Sequence, residues 1–219
     1  MLIKVCGMRD PENIRQVAAT GIDWMGFIFY ARSARSVDNG KLKIENERKS
    51  SPLNNSQLSI LNCQFKKVGV FVNATTEQMI EIARLYRLDY LQLHGNESPD
   101  ICYALQKRGY AIIKAFLIAS ADDLASTTEY EGRADYFLFD TKCNSYGGSG
   151  KQFDWSVLAS YKGNTPFLLS GGINLDSADA IIHFRHPRLA GIDLNSGFEI
   201  EPGMKDTEKI RTFIEKIKK

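Results

Sequence analysis

Cys6 closes the β-rich run LIKVCG, and Asp140 closes another, YFLFD. A thiolate can take a proton or attack carbon, and a carboxylic acid at the rim of a pocket can donate a proton. Lys4 and Cys6 are two residues apart, so on a strand their side chains share a face, where an ammonium would favour the thiolate. Taken alone, Cys6 is equally well core filler, and Asp140 could merely cap the loop after it. An apolar run is a costly place for a carboxylate unless it lies at an open rim or is put to use, and partial burial would raise its pKa. The stretches SGGIN and NSGFE hold Gly171, Gly172, Ser196 and Gly197, where backbone N–H groups can converge on an anion such as phosphate. His94 shares the parity of Gln92 and reads first as a hydrogen-bonded structural group. Arg32 and Arg35, in YARSARSV, are either solvated loop charges or clamps for a carboxylate.

Composition narrows these roles. With 219 residues, 43% hydrophobic, the chain can bury a sizeable core as one domain spanning 1–219. A formal net charge of +2, with both signs scattered along the chain, offers no basic stripe for a nucleic acid. Lys4, Arg9 and Asp10 interrupt any leader-like apolar segment, and the run WMGFIFY is too short to span a bilayer, so a soluble cytoplasmic protein is expected. Cys6, Cys63, Cys102 and Cys143 form no C-x-x-C pair, which argues against structural zinc, and a cytosolic setting argues against disulfides. For Cys6 this leaves core filler or reactive thiol.

The elements that must position these groups recur along the chain. LIKVCG, MGFIFY, KVGVFVN, YLQLHG, AIIKAF, YFLFDT, FLLSGG and AGIDLNSG are near-continuous apolar runs, as in parallel strands covered by helices. Asp10-Pro11 and Ser98-Pro99 mark helix starts, Thr75 to Gln78 reads as a capping box, and Asn174 can cap LDSADAIIHF. Ile210, Phe213, Ile214 and Ile217 give the last segment helical spacing behind Asp206. Eight strands alternating with helices predict an α/β fold, a single-domain (β/α)8 TIM barrel, with an open doubly wound sheet as the second choice. Without a G-x-G-x-x-G after a strand, the open sheet is the weaker reading. Residues 38–62 break the rhythm and read as a polar loop over about 38–55, then a short helix from Ser56. The stretch TKCNSYGGSGKQFDW lacks P-loop spacing and reads as a lid hinged at Gly147, Gly148 and Gly150, or as an ordinary surface loop.

In such a barrel, functional residues come from the C-terminal strand ends. Going round, these offer Cys6-Gly7, Arg32 and Arg35, Asn73, His94-Gly95, Lys114, Asp140, Ser170-Gly171-Gly172, and Asp193 with Asn195-Ser196-Gly197. The loops after strands seven and eight are the usual phosphate position, so a small phosphorylated substrate is expected.

KVCGMRD, FYARSARSV, LQLHGNE, FDT with GGSGKQFDW, SGGI, and GIDLNSGFE with PGMKD occur in that order over nearly the whole chain. Together they resemble the phosphoribosylanthranilate isomerase family of tryptophan biosynthesis. The resemblance implies an Amadori rearrangement on a barrel, with no metal and no cofactor; single-domain barrels of this kind occur as monomers and homodimers. It also implies that Cys6 is the general base, Asp140 the general acid and Arg35 the holder of the anthranilate carboxylate. Gly171, Gly172, Ser196 and Gly197 would take the phosphate, with His94 and Asp193 beside the substrate. The chain departs from the family at Ala34, where Ser-Pro-Arg is frequent, and at Asn195, where Ser-Ser-Gly is frequent. Two other readings are a phosphosugar barrel of the indole-forming synthase type, for which Lys114 is the single supporting residue, and a phosphate-binding barrel without catalysis.

Overall fold

The computed structural model describes residues 1–37, 64–141 and 154–218. Both the 38–55 loop with its following helix and the glycine-hinged lid lie outside the described residues. Eight parallel strands close into a barrel in sequence order: β1 (Leu2–Cys6), β2 (Trp24–Ile28), β3 (Lys66–Phe71), β4 (Tyr90–Leu93), β5 (Ala111–Ile118), β6 (Tyr136–Thr141), β7 (Phe167–Leu169) and β8 (Leu189–Leu194). The last strand pairs with the first, Lys4 opposite Asp193, which rules out the open sheet.

The helix starts are where the caps predict them. Asp10 caps α1 (Pro11–Ala18) by accepting from the N–H groups of Glu12 and Asn13. Thr75 and Gln78 form a reciprocal capping box on α2 (Thr76–Tyr86), and Ser98 caps α3 (Pro99–Lys107). Each such cap satisfies helix-end donors and contributes about 1 kcal/mol. Asn174 opens a short 3-10 turn, Leu175–Ser177, that continues into α4 (Ala178–His183). A hairpin, β9 (Glu199–Glu201) and β10 (Met204–Lys205), precedes α5 (Thr207–Ile217), which Asp206 caps. Among the described residues the regular α-helical rhythm fails after β5 and β6, where the chain forms 3-10 runs, Ala121–Tyr130 and Trp155–Ser160. Ser, Thr and Asp side chains in the first run bond locally, Ser126 and Thr127 donating to carbonyls three residues back, and this competes with α-helical pairing.

Strand parity separates two cores. Ile3, Val5, Phe27, Leu91, Phe137 and Leu169 face outward toward the helices. Trp24, Val68, Ile113, Leu138 and Leu168 fill the interior. At the N-terminal ends of β2, β4 and β6, Trp24 stacks on Tyr90 with centroids 4.4 Å apart and meets the edge of Tyr136 at 5.1 Å. These rings plug the lower end of the barrel, in the layered manner expected of this architecture. Polar side chains are thereby left to the opposite, C-terminal end.

Candidate active site

Cys6 ends β1 on the inward parity and is 4% exposed. Its thiol has room because the residue opposite it in β2 is Gly26: a Cβ there would lie 2.7 Å from Cys6 Sγ. Gly7 then turns the chain off the strand at a φ of +83°, a conformation suited to glycine. Below the thiol, fully buried Lys4 donates from Nζ to Asp193 Oδ1 at 2.9 Å, joining β1 to β8. Burial alone would lower the pKa of Lys4, but Asp193 and Cys6 more than offset this and keep it charged. The same balance tips the other way for Cys6. Burial pushes its thiol above the ordinary range, and the nearby Lys4 ammonium only partly opposes this. Lys4 thus favours the thiolate, as its place on the shared face predicts, but removing the thiol from water outweighs it.

Asp140 stands at the mouth end of β6 with 16% of its side chain exposed, so the carboxylate reaches the open rim. Ser170, just after β7, donates from Oγ to Asp140 Oδ1 at 3.4 Å. His94 follows β4, and its Nε2 lies 3.7 Å from Asp140 Oδ2. The Gln92 amide pairs with His94 Nδ1 at 3.0 Å, which fixes the ring beside Asp140. Burial, with the Lys114 and Lys4 ammonium groups adding to it, pushes His94 down to about 4, so the ring is neutral at physiological pH. His94 is thus both the hydrogen-bonded group that its parity suggested and a neighbour of Asp140.

The two glycine loops meet at the same rim. Gly171 and Gly172 hold φ of +85° and +69° after β7. After β8, Ser196 and Gly197 begin a 3-10 turn, Ser196–Phe198, whose first N–H groups have no partner within the turn. Gly197 packs so closely on the β7 loop that a Cβ would lie 2.2 Å from the Ile173 carbonyl oxygen. The structure therefore brings Gly171, Gly172, Ser196 and Gly197 together.

Arg35 is distinguished from Arg32 by its anchoring. Arg32 is exposed, whereas Arg35 is tied to Glu199 and has 15% of its side chain exposed. Lys114 departs from its expected place in the ring. It stands on the helix-facing parity of β5, with Ile112 and Phe116, and its Nζ donates to the carbonyls of Leu93 (3.2 Å) and Gly95 (2.6 Å) and to Glu97 (3.4 Å). The single residue favouring the indole-forming synthase type thus faces the helices, outside the barrel interior, and is tied to the end of β4 and the loop after it. Glu97 and Glu199, which organise the β4 loop and the Arg35 loop, were not singled out from the sequence. The usable signal was a glutamate directly after each of the glycine motifs LHGN and NSGF.

The family model for N-(5'-phosphoribosyl)anthranilate (PRA) isomerase matches residues 3–216. The chain is 63% identical over 217 residues to N-(5'-phosphoribosyl)anthranilate isomerase of Parabacteroides distasonis, covering 99% of this chain and 93% of that one. The solved phosphoribosyl anthranilate isomerase from Thermotoga maritima matches with a TM-score of 0.82 at 32% identity, over 100% of this chain and 98% of the other. A phosphoribosyl anthranilate isomerase in complex with reduced 1-(o-carboxyphenylamino)-1-deoxyribulose 5-phosphate matches with a TM-score of 0.78 at 28% identity, over the same shares. With its barrel, its strand-end residues and a relative of this identity over nearly its full length, the chain belongs to the N-(5'-phosphoribosyl)anthranilate isomerase family.

Proposed function

We propose that the chain isomerises N-(5-phosphoribosyl)anthranilate to 1-(2-carboxyphenylamino)-1-deoxyribulose 5-phosphate by general acid-base catalysis, with Asp140 as acid and Cys6 as base. The observation that supports these roles most is the shared inward parity of the two side chains at the mouth ends of β6 and β1, with the glycine loops of β7 and β8 between them. A substrate whose phosphate lies on Gly171, Gly172, Ser196 and Gly197 extends its sugar between the two groups.

Ring opening needs a proton on the furanose oxygen as its bond to C1 breaks, and protonated Asp140 supplies it while the anthranilate nitrogen lone pair forms the C=N bond. The resulting carboxylate accepts from Ser170, which stabilises the charge it acquires, and lies beside the His94 ring. The Cys6 thiolate then removes the proton from C2, and the electron pair flows into the iminium, giving an enolamine that tautomerises to the ketone. Arg35 holds the anthranilate carboxylate, and His94 and Asp193 line the sugar site. The chain works in the cytoplasm as a monomer or homodimer; among the described residues no helix is long and apolar enough to cross a membrane.

Purified protein is expected to consume phosphoribosylanthranilate, seen as loss of anthranilate fluorescence, and a protein that binds the reduced product analogue without turnover would sink the catalytic reading. Because turnover needs Asp140 protonated and Cys6 ionised at once, kcat/KM should stay level through neutral pH and fall only above the raised Cys6 pKa, beyond the range of an ordinary thiol, about 8.5. Lys4→Met removes the charge that opposes the raised Cys6 pKa, so this alkaline fall moves to higher pH and the level part of the profile drops. It also leaves Asp193 buried without its partner, at a cost of about 3–5 kcal/mol in a urea titration. A pH–rate profile identical to that of the unaltered protein would take Lys4 out of the mechanism.

A further inference from the structure

Arg35 does not stand alone at the rim. Its Nε lies 2.8 and 3.0 Å from the two Glu199 oxygens, and its Nη2 donates to Oε2 at 2.6 Å. Glu199 belongs to β9, and its partner across the hairpin, Lys205, donates to Oε1 at 2.7 Å. The Gly203 N–H in the hairpin turn donates to the same oxygen at 3.0 Å. Lys205, fully buried, is itself held by Asn195 Oδ1 at 2.8 Å. Burial works against a charge on Glu199, but Arg35, Lys205 and the Gly203 N–H outweigh it and hold its carboxyl below the usual range.

Three consequences follow for Arg35. One edge of its guanidinium is committed to Glu199, and the end formed by Nη1 and the second Nη2 hydrogen remains, a fork that fits a carboxylate through two parallel bonds. The stem of Arg35 lies over Gly7, where a Cβ would sit 2.9 Å from Arg35 Cδ, so the fork is held beside the residue that follows Cys6. Two cations share one carboxylate, which leaves a net charge of +1 at the place where an anion would dock. A second brace fixes the same loop: Arg9 donates from Nη1 to the Ala34 carbonyl at 3.0 Å, and its guanidinium lies against Gly203, whose added Cβ would come 2.4 Å from Arg9 Nε.

We propose that Glu199, presented by the β9–β10 hairpin and backed by Lys205, is a positioning residue that aims Arg35 at the ring carboxylate and so selects substrates bearing it. This rests on the reading of Arg35 as the carboxylate holder. Glu199 does not compete with the substrate for Arg35, because its other partners are buried with it and keep it in place when the fork is occupied.

The test compares two ligands by titration: the reduced product analogue with its ortho carboxylate, and the same compound lacking that group. In Glu199→Gln an amide N–H replaces a carboxylate oxygen opposite Arg35, and the preference for the carboxylated ligand should fall by about tenfold or more, the scale of a lost charged hydrogen bond. Binding of the decarboxylated ligand should stay unchanged. In turnover the loss should appear in KM, with kcat retained, because the contact exists before and during the reaction. Glu199→Asp, which keeps the buried charge balance and hence the fold, should lose part of the preference. Equal weakening of both ligands, or an unchanged preference in both variants, would overturn the proposal. Arg35→Met separates the two levels: if it keeps the preference, the assignment of Arg35 itself fails, and if it alone abolishes the preference, only the role of Glu199 does.

Discussion

Asp140→Asn is expected to lower kcat by about 10²–10⁴-fold, the usual contribution of a positioned acid, while the thermal midpoint and KM stay near those of the unaltered protein. The amide matches the carboxyl group in shape and can still face Ser170 and His94, but it has no proton to give to the furanose oxygen. The side chain is at the open rim, so little packing is disturbed. In the proposed binding mode the phosphate and carboxylate contacts come from other loops, and substrate should therefore still bind. Turnover within a factor of a few of the original in a folded Asp140→Asn protein would move the acid elsewhere, with His94 a poor substitute because its neutral ring has a pKa of only about 4.

Cys6→Ala should be equally damaging to kcat, again by about 10²–10⁴-fold, for a different reason. No other thiol or carboxylate of β1 or β2 is in position to take the C2 proton, and Asp193 is occupied by Lys4. Stability should fall by only about 1 kcal/mol, the cost of a methyl-sized void, because Gly26 supplies no atoms to close over the lost sulfur. Cys6→Ser separates shape from ionisation: the hydroxyl fills the space but does not ionise near neutral pH, so its kcat should resemble that of the alanine variant. Since each group serves a separate step of one reaction, the double variant with Asp140→Asn should be much less impaired than the product of the two single losses. A Cys6→Ala protein that turns over normally would return Cys6 to the role of core filler.

Most of the architecture was legible because it rests on local chemistry. Caps at Asp10, Thr75, Ser98 and Asn174 and eight apolar runs are short-range signals, and the barrel follows from their alternation. The strand-end ring was legible for the same reason, since parity within a strand tells which side chains share a face. It failed for Lys114. The run AIIKAFLI is apolar on both faces, so alternation does not say which way the lysine points, and the deciding partners, Glu97 and two carbonyls, come from the neighbouring β4 loop. For Cys6, the ammonium two residues away is visible in the sequence and acts in the expected direction, whereas the depth of burial that opposes it is not. Glu199 was missed because its partner Arg35 is 164 positions distant. At Ala34, where a proline would stiffen the loop through its own ring, Arg9 and Glu199 hold the loop from outside instead, which no local motif announces.

The ion pair between Lys4 and Asp193 spans 189 positions, joining the first strand to the last. A ribosome releases Cys6 first and Asp140 later, but the carboxylate that secures Lys4 beneath the thiol, and the Ser196–Gly197 turn, emerge only after both. Until then Lys4 has no buried counter-charge and the barrel has an open seam. Chemistry therefore switches on with ring closure rather than accumulating strand by strand, and a nascent chain stalled before β8 would contain both proposed catalytic side chains yet be unable to turn over substrate.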